Sequence, residues 1–354
     1  MQKKTMFNFL QTKNPSCSLD LGSTWAKTVR LARKGREPQL DRVARIVWSA
    51  AEHKDFQSKG RRIKEAWGQL GLKDKSVISS LAGHSVIVKR VFLEKSDSGD
   101  LESKINEEAG QYIPFDISDV HLDYHILEPD PESENQEVIL VATKKKVVQD
   151  LTQVMDHSGL GLSIVDVDAF ALSNCFEFNY PELTEKPAYL LDIGGQHSMF
   201  AVFWKNQPLF FREMSFGGKQ LTDVIASALE VDTSRAEALK LQGPDALSNQ
   251  DKNRINSECG KVLRTWASEI KRLVSFYQTS VPAVKQAAIL QLSGGGSLFQ
   301  SVGSILEEEL QLETRHMDPW KKVEIKSNDF DLKYLESIKP QFCVPTGLAL
   351  RGFI

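Results

Sequence analysis

At 354 residues the chain is too long for one typical hydrophobic core, so two lobes with insertions are expected. A hydrophobic content of 41% and a charged content of 26% are ordinary for a globular protein, and a net charge of −3 offers no global attraction to nucleic acid or to an anionic membrane. The four cysteines, Cys17, Cys175, Cys259 and Cys343, lack any short spacing, which excludes a CxxC motif and a dense disulfide framework and points to a reducing cytoplasm.

The chain opens with MQKKTMFNFLQTKNP, basic residues around a short apolar patch (Met6, Phe7, Phe9, Leu10). No small-residue cleavage site follows, so this reads as a frayed tail, with grazing of a membrane surface as the alternative. No apolar run approaches the roughly 18 residues of a spanning helix. Residues 16–50 predict three strands, CSLDLG, TWAKTVRLA and LDRVARIVW, the last two separated by the turn residues RKGREP. Residues 61–72 predict a helix, and 76–94 two strands broken at Ala82-Gly83. An amphipathic helix over 100–112, stopped by Pro114, precedes a strand, VHLDYHIL. The acidic EPDPESENQE then reads as an exposed loop, EVILVATKK as a strand and KVVQDLTQVMDHSG as a helix stopped by its Gly. This block, about 83–162, has the rhythm of an inserted α+β subdomain.

Residues 187–216 repeat the opening arrangement as PAYLLDIG, HSMFAVFW, a KNQP turn and LFFREMSF. A repeat so widely spaced implies two related lobes rather than a solenoid. After Gly217-Gly218 the pattern is helical to about 280, with Val262, Trp266, Ile270, Leu273 and Tyr277 on one face. AAILQL predicts a strand running into SGGGS, followed by a helix with Leu298, Val302 and Leu306 inward. PTGLALRGFI closes the chain as a short helix or strand.

Chemistry concentrates where strands end. Asp20 and Asp192 each end an apolar strand two residues before a Gly, so each lobe presents Asp-x-Gly to a shared cleft. Glycine lets backbone N–H groups approach phosphate oxygens. Ser23, Thr24 and Ser198 add hydroxyl donors, and Lys27 offsets phosphate charge. A carboxylate beside a triphosphate repels it unless a cation intervenes; Mg²⁺, which keeps several waters, suits Asp20 and Asp192 as metal-site residues. Alone, such a motif is most often a strand-ending turn. The SGGGS loop, with Gly294, Gly295 and Gly296, sits between strand and helix, where anions are attracted, but is neither a Walker A loop nor a G-x-G-x-x-G fingerprint.

With these segments assembled, the chain resembles the actin-like ATPase superfamily. DLGSTWAK looks like its phosphate-1 segment, DIGGQHS its phosphate-2 segment and LSGGGSL its adenosine segment. Within it the sequence is similar to the PilM family of type IV pilus assembly proteins, through EEAGQYIPFDISDVHLDYHIL, VILVATKKKVVQDL, SGLGLSIVDVDAFAL and FREMSFGGKQLTDVIA. The resemblance implies a two-lobed, ribonuclease H-like α/β fold with an α+β subdomain inserted in the first lobe. Its first lobe would comprise 16–82, 163–186 and 341–354, its insertion 83–162, and its second lobe 187–340 with a helical part at about 226–285. It also implies ATP with Mg²⁺ between the lobes, held by Asp20, Gly22, Ser23, Thr24, Lys27, Asp192, Gly194, Gly195, Gln196, Ser198 and Gly294–Gly296.

By the same resemblance Gly217 and Gly218 lie near the phosphates, and Glu237 and Lys240, sharing a helix face, contact the ribose and base side. Asp168 falls where several members carry a water-orienting acid; Asp166 and Asp168 equally read as partly exposed residues flanking a strand end. Three positions depart from the family pattern: Trp25 where small or polar residues are usual, Gly195 for a frequent Ala, and Ser198 for a commoner Thr. His121 and His125 read as strand residues rather than metal ligands, and His197 stands near the phosphates, where strand alternation either brings it to them or turns it away.

The function implied is a cytoplasmic ATP-binding scaffold at the inner face of the inner membrane. It would hold the N-terminal cytoplasmic peptide of a PilN-like bitopic membrane protein in a groove beside the inserted subdomain. Other platform proteins and the pilus motor ATPases are further expected partners; nucleic acid is not, and membrane contact would run through partners. A second reading is an FtsA-like filament protein, disfavoured by an ending at Arg351-Gly-Phe-Ile354 with no amphipathic helix. A third is a small-molecule kinase, for which Asp168 alone makes no case.

Overall fold

The computed structural model describes residues 17–34, 37–49, 52, 55–82, 85–94, 101–127, 135–204, 207–242, 247–280, 287 and 289–353. The N-terminal patch, residues 35–36 and 205–206 of the expected turns, Gly83, residues 128–134 of the acidic loop, and Ile354 lie outside the described residues.

The chain begins with β1 (Cys17–Leu21), β2 (Trp25–Lys34), β3 (Glu37–Val47), α1 (Phe56–Gln69) and β4 (Ser76–Leu81). It continues through β5 (Val86–Glu94), α2 (Leu101–Tyr112), β6 (Val120–Ile126), β7 (Asn135–Lys144), α3 (Lys145–Ser158), β8 (Gly161–Val167) and α4 (Asp168–Asn179). Next come β9 (Ala188–Ile193), β10 (Ser198–Trp204), β11 (Gln207–Met214), α5 (Gly218–Leu229), α6 (Thr233–Gln242) and α7 (Asn249–Ser280). The last elements are β12 (Ile289–Ser293), α8 (Val302–Leu310), β13 (Glu313–His316), α9 (Leu332–Ile338) and α10 (Cys343–Leu350).

Two sheets share one plan. The first runs β3-β2-β1-β4-β8 and the second β11-β10-β9-β12-β13. In each, the leading strand pairs antiparallel with the hairpin behind it and parallel with a later strand on its other side. The repeat seen in sequence is therefore a repeat of topology. β1 and β9 are central and covered on both faces, which is why CSLDL and AYLLDI read as continuous rather than alternating apolar runs. A third, antiparallel sheet, β5-β7-β6, carries its own core, where Ile105 and Ala109 of α2 meet Val91, Val138 and Leu140.

Between the two main sheets run α4 and α10, buried along almost their whole length. A helix apolar all round belongs in a core, and the PTGLALRGFI segment takes that form rather than a strand. At their crossing Gly347 lies so close that a Cβ would stand 1.8 Å from the Ala171 carbonyl oxygen. The chain after SGGGS also differs from expectation: Gly295–Leu298 is a short 3-10 turn, and the helix begins only at Val302. Leu298 belongs to the turn, because Gly294 at φ +83° redirects the backbone as it leaves β12.

Candidate functional site

The ends of β1, β9 and β12 open onto a cleft of about 400 Å³ between the two main sheets. Register fixes its floor. Asp20 stands opposite Lys27 on β2, and Asp192 beside Ser293 on β12. The Lys27 ammonium donates to the Asp20 carboxylate. Ser293 Oγ donates to Asp192 Oδ1, and Ser80 Oγ to Asp168 Oδ1, each at 2.5 Å. Asp168 is the first residue of α4, so the strand-to-helix turn after β8 aims it at the same floor.

Three carboxylates thus surround one ammonium. Burial, reinforced by the charges of Asp20 and Asp192, holds the Asp168 carboxyl well above the usual carboxylate range. Burial also raises Asp192, against the Ser293 hydrogen bond and the Lys27 charge. Burial opposes the charge on Lys27, yet Asp20, Asp192 and Asp168 outweigh it and hold its ammonium above its ordinary value. A divalent cation would discharge such a floor. Among the described residues no group of three or more His, Cys, Asp or Glu is close enough to ligate a metal directly. Asp20 and Asp192, acceptor-only carboxylates at the two strand ends, are a donor set that would fit an ion keeping its waters between itself and the protein, the habit of Mg²⁺.

The glycine loops close on one another. A Cβ on Gly195 would stand 2.3 Å from Thr24 Oγ1 and 2.7 Å from Ser23 Oγ, so the two hairpin loops meet across the cleft. The Gly218 and Lys219 N–H groups donate to the Gly194 and Gly195 carbonyls at 2.9 and 2.7 Å. Gly217 does not line the cleft: it caps α5 in extended backbone and backs onto the Gly194 and Gly195 carbonyls, with no room there for a side chain.

Asp20, Gly22, Ser23, Thr24, Lys27, Asp168, Asp192, Gly194, Gly195, Gln196, Ser198, Gly218, Glu237, Lys240 and Gly294–Gly296 all line it. Ser198, expected as a free donor, spends its hydroxyl on the Phe216 carbonyl at 2.8 Å. Lys240 Nζ lies 2.7 Å from Glu237 Oε2 and donates to Thr222 Oγ1 and the Gly218 carbonyl at 2.8 and 3.1 Å. Glu237 and Lys240 thus share a face, as their spacing required, and join α6 to the start of α5.

Ser80, Gln341 and Val344 line the cleft without a signal in the sequence; only the small polar residues of a buried strand, SVISSL, hint at Ser80. Asp166 corrects an expectation. Rather than partly exposed, it is buried and ion-paired at 3.3 Å with Arg351. His121 and His125 lie on β6, a strand as read, and His197 Nδ1 sits 3.3 Å from Glu213 Oε1.

Two sheets of one order, facing each other across a cleft floored by a strand-end carboxylate from each, make this a protein of the actin-like ATPase fold. The family model described as type IV pilus assembly protein PilM matches residues 18–353, and the chain belongs to that family. A solved PilM-PilN type IV pilus biogenesis complex is similar at 24% identity and a TM-score of 0.85, over 97% of this chain and 100% of that one. The ethanolamine utilization protein EutJ from Carboxydothermus hydrogenoformans is similar at 14% identity and TM-score 0.55, over 97% and 92% of the two chains. An MreB of Spiroplasma citri bound to AMPPNP is similar at 12% identity and TM-score 0.50, over 95% of each. Among the described residues no helix is long and apolar enough to cross a membrane.

Proposed function

We propose that the protein is an ATP-binding scaffold of the type IV pilus inner-membrane platform. The observation that carries this reading is the convergence of Asp20, Lys27, Asp168 and Asp192 beneath glycine loops contributed by both lobes. Asp20 and Asp192 would hold Mg²⁺ through its waters, and the bound ion would supply the positive charge that lets phosphates approach the carboxylates. Lys27 and the Ser23 and Thr24 hydroxyls would meet phosphate oxygens; Glu237 and Lys240 would face the sugar and base.

Asp168 is our candidate to orient a water at the terminal phosphate. Burial and the charges of Asp20 and Asp192 raise its carboxyl, and a carboxylate raised toward the working pH is the stronger proton acceptor.

As partner we propose the N-terminal cytoplasmic peptide of a PilN-like bitopic membrane protein, seated beside the β5-β7-β6 sheet. Likeness to a PilM-PilN complex over nearly the whole chain supports this. Such a contact would hold the protein at the inner face of the inner membrane, within reach of other platform proteins and the motor ATPases.

The test is calorimetric titration with ATP and Mg²⁺ of the unaltered protein and of Asp192→Ala, followed by titration with a synthetic peptide of the PilN-like N-terminus. Magnesium-dependent binding lost in the variant, together with peptide binding, is expected. A folded, unaltered protein that binds no ATP sinks the nucleotide half, and one that ignores the peptide sinks the partner half.

A further inference from the structure

His197 stands in the loop between β9 and β10, where strand alternation leaves its direction open, and the fold brings it to the wall of the cleft. Its Nδ1 lies 3.3 Å from Glu213 Oε1, the imidazole 42% exposed and the carboxylate side chain 15%. Register explains the meeting. Ser293, Asp192, Met199 and Glu213 occupy one row across β12, β9, β10 and β11, so Glu213 shares a sheet face with Asp192 and lines the same cleft.

The row also gives the cleft a direction. Toward its β12 end Gly296 and Lys240 gather at Gly218, whose Cβ would stand 3.5 Å from Gly296 Cα and 3.4 Å from Lys240 Nζ. These residues belong to the side proposed for the sugar and base. His197 and Glu213 lie toward the β11 end, on the other side of Asp192. A nucleotide laid along this row carries its terminal phosphate toward them.

Resting on the nucleotide reading of the cleft, we infer that His197 reads the terminal phosphate of ATP through Nε2, becoming an imidazolium between that phosphate and Glu213. The reason is a count of protons. An ionised carboxylate only accepts hydrogen bonds, so Glu213 requires the ring proton on Nδ1. A phosphate oxygen also accepts, so Nε2 must carry a proton too, and a neutral imidazole has only one. Binding of the terminal phosphate therefore draws one proton from solvent onto Nε2 and sets a cation between two anions. ADP, one phosphate shorter, makes no such demand. The other charged side chains facing this cleft are Asp20, Lys27, Asp168, Asp192, Glu237 and Lys240. Asp20 and Asp192 would meet Mg²⁺ with either nucleotide, so a proton shed there is common to ATP and ADP.

ATP and ADP are titrated calorimetrically with saturating Mg²⁺ near pH 7.5, in buffers of different ionisation enthalpy, so that the heat reports the protons exchanged. ATP should take up about half a proton more than ADP. His197→Gln should remove that difference, weakening ATP by about tenfold and leaving ADP within about threefold. Glu213→Gln has an amide that can donate to Nδ1, which lets a neutral ring serve the phosphate, so the uptake should shrink; an unchanged uptake there overturns the part given to Glu213. Equal uptake with the two nucleotides in the unaltered protein overturns the inference. So does an ATP-specific uptake that survives His197→Gln, which would put the proton on Asp168.

If His197→Gln does not fold, the pH dependence of the unaltered protein decides. Its preference for ATP over ADP should grow about threefold or more from about pH 8 to about pH 6, as the imidazolium forms more readily; a flat ratio overturns the inference. Failure of the nucleotide reading is distinct: neither ATP nor ADP would bind the unaltered protein at all, and the inference would fall with it.

Discussion

Substituting Gly347→Ala probes the packing on which the whole site rests. The new Cβ would stand 1.8 Å from the Ala171 carbonyl oxygen and 2.6 Å from its carbonyl carbon, whereas ordinary contact begins near 3.4 Å. The obstacle is backbone, not the swinging end of a side chain, so α4 and α10 must part by roughly 1.5 Å. Overpacking costs about 1–3 kcal/mol where neighbours adjust. Here the flanking residues Ala169, Phe170, Leu172, Leu348 and Ala349 are all buried, so relief at one contact opens gaps at others, and about 3 kcal/mol is expected.

Asp168 lies one turn before Ala171 on α4, so displacement of that helix also disturbs the acidic floor. Urea denaturation followed by circular dichroism measures the loss. Gly68→Ala is the counterpart: Gly68 is exposed near the end of α1 with nothing near its would-be Cβ, and the change should stabilise by about 0.5 kcal/mol. Equal, small effects at the two positions would refute the account of the α4–α10 crossing.

The buried pair of Asp166 and Arg351 gives a pH-dependent expectation. Burial raises the Asp166 carboxyl and the Arg351 charge draws it back, so Arg351→Leu raises it further. An acid raised in the folded state favours folding when protonated and loses that stability as pH climbs through the raised value. Arg351→Leu should therefore cost about 3–5 kcal/mol near neutrality, with the gap narrowing as pH falls toward the ordinary carboxylate range. Adding Asp166→Asn should recover much of the loss; a deficit that ignores pH would show that the charge on Asp166 is not its source. The cysteines are a simpler check. All four are free and buried, and burial pushes the thiols of Cys17 and Cys259 up to about 12 and about 11. A thiol reagent near pH 8 should find none in the native protein and four after denaturation; one fast thiol in the native state would contradict the burial.

Much of this molecule was legible in the chain itself. Strand ends were marked by Asp-x-Gly, turns by Gly and Pro, and the α7 face by the spacing of Trp266, Ile270 and Tyr277, because these features depend on neighbours a few residues away. The repeat disclosed two lobes, and the motifs named residues that now line one cleft. The sequence held no comparable sign for α4, a helix of 12 residues buried along almost its whole length. A helix without a polar face has no period to read.

Tertiary structure alone decided how distant pieces meet. Asp168 joins Asp20 and Asp192 only because β8 and β9 lie in facing sheets, and Gln341 reaches Arg45 only because the last segment folds back against β3. It decided as well that Gly217 backs onto the Gly194 and Gly195 carbonyls, that Ser198 donates to a carbonyl, and that Asp166 is paired with Arg351. Local periodicity can report whether a residue faces a core. Which charge stands within 4 Å of which is set by the register of strands and the crossing of helices, and those are properties of the assembled chain.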